Sequence, residues 1–371
     1  MIKGNYKEGG DFMAKRAWMA CFPDEYAKLG LTPGTPALHE DGFHIAGDAG
    51  NYEWWYFDSK LSDGSSLVIV FYPGPMFSFS KGFHPHVTFT HTRADGTKYE
   101  SRVDAELKDC IFSRDDCEVR VGPCTVKGDL HHYEIFWKDN NIEATVVLDG
   151  NVPAWRPRSG HILFDNKHYF AWLPSVPEGN ITVTIKNKDG EETLTGTGYH
   201  DHNWGDIPMF FLMHHWYWGR AKIGDYQVVS SYITAAKKYS YDEIPIFMLA
   251  KNGKILADLP EKYLTYSEED LFFDPITKKH VANRLVYDYD DGQQHYRITY
   301  RREDDLEQLG METQLPGLLY YGALAMGLRG SYHRMAGTAT LERFENGEVV
   351  ESVTDPALWE LMYFGKDRPR P

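Results

Sequence analysis

At 371 residues, the chain exceeds the roughly 250 to 300 residues at which single cores stop growing, so two domains are expected. Asp and Glu number 54 against 39 Lys and Arg, a net charge of −15 that repels nucleic-acid phosphates and anionic membrane surfaces but leaves an apolar small molecule as a compatible partner. With aromatics at 15%, there is material for a large core and an aromatic-lined pocket, and disorder is excluded.

The first 40 or so residues combine a weakly helical "PDEYAKLGL" with the turn-rich "TPGTPALHEDG" and read as a strap, residues 1–44. The opening residues carry charges where a signal peptide has its apolar run. No later stretch approaches the ~18 apolar residues of a spanning helix. A cytoplasmic protein without stable membrane insertion is therefore expected. Cys21, Cys110, Cys117 and Cys124 form no CxxC pair and lack disulfide-scaffold density, which predicts reduced thiols.

From Asn51 onward, short β-branched and aromatic runs alternate with turn signals: "EWWYFDSKL", "SDGS", "SLVIVFY", then "HVTFTHTR", "ADG", "TKYESRV". Hairpins in series at this spacing predict an all-β, antiparallel sandwich or barrel. "EWWYFDSKLSDGSSLVIVFY" from Glu53 also overlays "HWYWGRAKIGDYQVVSSYI" from His215, with Trp55 on Trp216 at an offset of 161 residues. That repeat predicts two tandem calycin-like barrels, at 45–205 and 206–371. "TQLPGLLYYGALAMGLRG" offers a possible short helix. "DPALWELMYFG" has an Asp-Pro start and apolar Leu358, Leu361, Met362 and Phe364, which predicts a closing C-terminal helix.

The densest chemistry lies in "GTGYHDHNWGD", Gly196 to Asp206. His200, His202, His214 and His215 invite a metal reading, but no CxxC or HExxH companion accompanies them, and no metal is expected. No GxSxG elbow, GxGxxG or GxxxxGK[ST] is present, which argues against a serine nucleophile and against NAD, FAD or ATP; no cofactor is expected. What survives is proton chemistry. On a strand, Tyr199, Asp201 and Asn203 would share one face and His200, His202 and Trp204 the other. A carboxyl facing an apolar cavity has its pKa raised and can donate a proton near neutrality, which makes Asp201 the candidate acid. The competing reading has Asp201 capping the turn between the barrels. The rings of "EWWYF" and "HHWYWGR", with Glu53, Trp54, Tyr56, Trp216 and Trp218, either fill barrel bottoms or face substrate and stabilise a cation.

"EWWYF", "GTGYHDHNWGD" and "WYWGR" together resemble the lipocalin-like AttH and carotenoid 1,2-hydratase (hydroxyneurosporene synthase) superfamily, which also holds kievitone hydratase and fungal Diels–Alderases. The resemblance implies two lipocalin-like β-barrels and chemistry without a cofactor. It maps an Asp and a Trp three residues later onto Asp201 and Trp204, and an upstream His onto His168. A hydratase would use Asp201 as acid, Trp204 as cation wall, and His168 or His202 to orient water; Tyr199 and Asn203 would join Glu53, Trp54, Tyr56, Trp216 and Trp218 around the substrate. The expected activity is hydration or elimination at a carbon–carbon double bond of an isoprenoid- or polyketide-like molecule. The alternatives are a cyclase or isomerase of a polyene, and a non-catalytic carrier.

Overall fold

In the computed structural model, residues 15–74, 81–188, 190–310 and 329–368 are described. Two antiparallel sheets dominate. The first runs from the strand Lys98–Asp104 through His86–Thr92, Ser66–Tyr72, Tyr52–Leu61, Gly190–Gly205, His168–Asn187, Glu143–Gly150, His132–Lys138, Cys124–Gly128 and Cys117–Val121 to Cys110–Phe112. The second runs from Lys254–Ala257 through Glu243–Lys251, Tyr226–Ala235, Met213–Ile223, Glu348–Tyr363, Ser331–Glu345, His295–Gly310 and Lys279–Asp290 to Leu264–Asp274. Each sheet curls around its own apolar core in the lipocalin-like manner. Alternation sets the cores: Trp55, Phe57 and Leu61 point into the first, and Tyr217, Ala221 and Ile223 into the second.

The strap is ordered by pairing. Ala17–Met19 joins His161–Phe164 as a short antiparallel ladder. The expected helix forms at Pro23–Leu29, with Pro at its start and Gly30 at φ 71° ending it. Glu40, at the close of the strap, forms a buried ion pair with Arg156 at 2.5 Å.

Two expectations are corrected. "DPALWELMYFG" forms no helix: Asp355 to Tyr363 belong to the long strand Glu348–Tyr363. Ala357, Trp359, Leu361 and Tyr363 enter the second core, while Leu358, Glu360 and Met362 stay partly exposed on the other face. Apolar residues on both faces hid the period of two, so the spacing mimicked a helix. Both stretches of the overlaid repeat form hairpins, Tyr52–Leu61 with Ser66–Tyr72 and Met213–Ile223 with Tyr226–Ala235, but the overlay slips by one residue. At offset 161, inward Trp55 would match Trp216, which faces out of the second core. An offset of 162 places Trp55 on Tyr217 and Trp54 on Trp216, preserving both faces. The segment "TQLPGLLYYGALAMGLRG" falls almost wholly outside the described residues.

A third apolar cluster joins the two sheets back to back. Phe164, Phe170 and Trp172 from the first, with Trp155 from the loop that precedes His161–Phe164, meet Val229, Ile233, Ile246 and Met248 from the second, with Trp54, Trp216, Trp218 and Met362 at its partly buried margin. Each fully buried large side chain here contributes about 1.5 to 3 kcal/mol. The strand carrying "YHDHNWG" therefore has two internal faces, one toward the first core and one toward this seam.

Candidate functional site

Strand register explains how the motif divides. Asp201 lies opposite Tyr56, His202 opposite Trp55, Asn203 opposite Trp54 and Trp204 opposite Glu53. Every residue from Tyr199 to Gly205 is buried. Odd positions face the seam and even positions the first core, as the alternation read from the sequence requires.

The core face holds a chain of charges. His202 Nε2 lies 2.8 Å from Glu53 Oε1, and its Nδ1 lies 3.3 Å from Asp41 Oδ1. Asp41 Oδ2 also receives the Tyr133 hydroxyl and lies 3.2 Å from His200 Nε2. Glu53 accepts the backbone N–H groups of His44 and Ile45 at 2.9 and 3.1 Å. Burial alone would lower the pKa of His202, but the two carboxylates outweigh it and push it up to about 9. Burial likewise works against the Asp41 carboxylate, yet His200 and His202 hold it well below the usual range. Trp204 stacks on His44, with centroids 4.0 Å apart and planes 10° apart, and His161 meets it edge-on. Burial lowers His44 to about 3 and His161 to about 4.

Two groups on this face bring ligand-type atoms within 4.8 Å of one another: Asp41, Cys117 and His200; and His44, Glu53 and His202. Their atoms are largely spent on each other. Glu53 is filled by His202 and two backbone donors, and burial keeps Cys117 a thiol by raising its pKa. The arrangement is that of a closed ion-pair network.

The seam face is different. Asp201 accepts three hydrogen bonds: Trp172 Nε1 at 2.8 Å, the Tyr199 hydroxyl at 2.8 Å and Asn203 Nδ2 at 2.7 Å. Burial raises its pKa, and the three donors offset part of that rise. Around it lie partly exposed rings, Trp54 and Tyr56 from the first sheet and Trp216 and Trp218 from the second. The sheets touch where Trp218 meets Tyr199 edge-on at 5.8 Å, and where Arg220 lies over the Tyr199 ring at 4.9 Å and pairs with Asp58. Burial lowers Arg220 to about 10.

Facing them is Glu360, opposite Trp218 in the ladder of the second sheet. It accepts the Tyr332 hydroxyl at 2.9 Å. Burial raises its pKa; the Tyr332 hydroxyl, the neighbouring Arg334 charge and Trp216 oppose that rise, while the charge of Asp201 across the seam adds to it. Two carboxyls with raised pKa values thus lie on opposite sheets among the rings of the seam. Perturbed carboxyls beside partly buried rings are candidates for a functional site.

The candidate residues therefore separate into three places. Asp201, Tyr199, Asn203, Trp54, Tyr56, Trp216 and Trp218 converge at the seam. His202, Trp204 and Glu53 lie behind the sheet, in the first core. His168 pairs with Asp206 through Nδ1 at 2.7 Å, and Asp206 is five residues beyond Asp201, about 17 Å along an extended strand. Asp41, His44, Trp172 and Glu360 were not singled out in the sequence. The first two sit in a strap without periodicity, and Glu360 was hidden in the stretch read as helical. A Glu between Trp359 and Leu361 on an apolar strand was the available signal.

A family model described as Diels-Alderase-like matches residues 48–312. Hydroxyneurosporene dehydrogenase of Chlorobaculum tepidum is 28% identical over 224 residues, 49% of this chain and 56% of that protein. Quinolone epoxide rearrangement protein asqO of Emericella nidulans is 26% identical over 208 residues, 49% of this chain and 54% of that protein. The chain thus spans little more than half the length of these curated relatives. Among solved structures, CghA with Sch210972 superposes with a TM-score of 0.59 at 14% identity, covering 89% of this chain and 96% of that one; it shares the fold. With the family model matching well over half of the sequence, this chain belongs to the Diels-Alderase-like family.

Proposed function

We propose that the protein is a cofactor-independent enzyme that performs acid–base chemistry on an apolar, unsaturated small molecule held in the seam between the sheets. The leading reaction is addition or removal of water at a carbon–carbon double bond. The observation that carries this reading is the Asp201 carboxyl, buried and raised in pKa, fixed by three donors among the partly buried rings of the seam, with Glu360 on the other sheet. In the hydration direction, protonated Asp201 gives its proton to one alkene carbon. The positive charge formed on the other carbon faces Trp54, Tyr56, Trp216 and Trp218, whose π faces stabilise it by about 0.5 to 2 kcal/mol each. A water adds to that carbon while Glu360, as carboxylate, takes its proton. Trp204, His202 and Glu53 brace the strand from behind and touch no substrate.

Membership of a Diels-Alderase-like family supports a second reading, in which the seam folds a polyene for intramolecular cyclisation and proximity supplies most of the acceleration. Turnover of isoprenoid and polyketide-like polyenes in H₂¹⁸O by the wild type and Asp201→Asn separates the readings. Incorporation of ¹⁸O that is lost in the variant supports hydration. An isomeric product without ¹⁸O supports cyclisation, and stoichiometric binding without product leaves only carriage.

A further inference from the structure

The three donors around Asp201 divide unevenly between its oxygens. Oδ2 accepts both Trp172 Nε1 and the Tyr199 hydroxyl, each at 2.8 Å, while Oδ1 accepts only Asn203 Nδ2, at 2.7 Å. A carboxylate oxygen offers two lone-pair positions. Both are taken on Oδ2, and one remains open on Oδ1. All four side chains are buried, so bulk water does not replace these bonds.

Two rearrangements of the donors leave that imbalance in place. If Tyr199 turned to accept a proton carried on Oδ2, its own hydroxyl proton would lose the one acceptor it has among the described residues, and a buried donor left unpaired is costly. If the Asn203 amide turned, its oxygen would face Asp201 Oδ1, a contact that itself requires a proton on Oδ1. Arg220, 4.9 Å over the Tyr199 ring, acts in the same sense, because a cation there makes the hydroxyl a stronger donor.

We infer that the proton Asp201 transfers is carried on Oδ1, and that Asn203 is the residue that positions it rather than a contact to substrate. This rests on the reading of Asp201 as the acid. On transfer, the alkene π pair forms the new C–H bond and the O–H pair stays on Oδ1. The charge is shared with Oδ2, where the Trp172 and Tyr199 bonds become charge-assisted and strengthen. Each addition of water takes one proton from Asp201 and leaves one on Glu360, and exchange with solvent resets both. Asn203 lies opposite Trp54 and Trp172 on the flanking strands, and Tyr199 opposite Asp58. The reacting carbon therefore approaches from the Trp54 end of the carboxyl, away from the ion pair of Asp58 with Arg220.

The test is infrared spectroscopy of protein labelled with ¹³C at the aspartate carboxyls, titrated from neutral to mildly acidic pH, in wild type, Tyr199→Phe, Trp172→Phe, Asn203→Ala and Asp201→Asn. The titratable and charged groups around Asp201 are Tyr199, Tyr56, Asp58 with Arg220, Glu360 across the seam and His200 on the back of its own strand. The label sets its carbonyl band apart from that of Glu360, and loss in Asp201→Asn sets it apart from that of Asp58. With the proton on Oδ1, the carbonyl oxygen is Oδ2. Tyr199→Phe and Trp172→Phe should then each move the band to higher wavenumber, and either carries the comparison if the other fails to fold. Asn203→Ala should move it least, while raising the pH of half-protonation because the carboxylate loses a donor. A larger shift in Asn203→Ala than in the other two places the proton on Oδ2 and overturns the proposal, with the acid reading left standing. If no band is lost in Asp201→Asn anywhere in the titration, Asp201 holds no proton to give, and the acid reading falls together with the proposal.

Discussion

Asp201 and His202 are adjacent in the chain and lie on opposite faces of one strand: the Asp201 carboxyl enters the seam, and the His202 imidazole enters the core of the first sheet between Asp41 and Glu53. The motif that looked like one polar centre is thus two, and they should respond differently to substitution.

Asp201→Asn keeps the shape of the site and one oxygen to accept from Trp172 and Tyr199, and meets Asn203 once that amide turns its own oxygen toward the new NH2, but it cannot cycle a proton. In steady-state assays on a polyene substrate, kcat should fall on the order of 10²-fold or more, with a urea midpoint close to that of wild type. A full-rate Asp201→Asn would remove the proton-transfer role.

Asp41→Asn strips the His202 imidazolium of one carboxylate inside the core. Breaking a buried pair from one side costs about 3 to 5 kcal/mol, so equilibrium denaturation should show a loss of that size. Any enzyme that still folds should retain its kcat, since the proposed site places the substrate on the other face of the strand.

The same network sets a pH window for stability. The folded pKa of His202 is raised to about 9 from an ordinary value near 6.5, so its contribution is complete below about pH 6.5 and disappears as pH rises through 9. Asp41 is depressed below its ordinary value of about 3.9, so its contribution is present above that value and is lost as the medium becomes strongly acidic. Burial holds His44 and His161 neutral, at about 3 and 4, so protonation of the unfolded chain lowers stability as pH falls below about 6.5. Unfolding free energy measured against pH should therefore peak near pH 6.5 and fall on both sides. Asp41→Asn should flatten the alkaline limb, since it removes much of the shift on His202, and leave the histidine-driven acid limb in place.

Trp204 and Trp218 provide a contrast between two tryptophans. Trp204 is stacked on His44 in the core, and Trp204→Ala should destabilise by about 3 to 5 kcal/mol. Trp218 is partly exposed at the seam, so Trp218→Ala should cost less stability and raise KM or the ligand dissociation constant. Parallel calorimetry and ligand titration would separate them.

Much of the fold was legible because turn signals such as "SDGS" and "ADG" bracket strands with one buried face. The errors arose where that simplification ends. The strand Glu348–Tyr363 is covered on both faces, so Leu358 and Met362 blurred the alternation of Trp359 and Leu361. The repeat slipped by one because Trp54, Trp55, Trp216 and Trp218 give aromatic matches in either register, while only the packing tells inward from outward. The alternation through "YHDHNWG" correctly separated Asp201 from His202. Assigning Asp201, Trp204 and His202 to one mechanism ignored that separation. Asp41 and His44 could not be placed from the sequence, because their role comes from a strap folding back against the first sheet. Glu360 comes within electrostatic reach of Asp201 only when the two sheets pack back to back.

The central claim is that the substrate lies between the sheets. A crystal structure of the protein with a bound polyene tests it most directly. The account predicts ligand density against Trp54, Tyr56 and Trp218, with an unsaturated carbon within reach of the Asp201 carboxyl. Density inside the first core, beside His202 and Trp204, would contradict it.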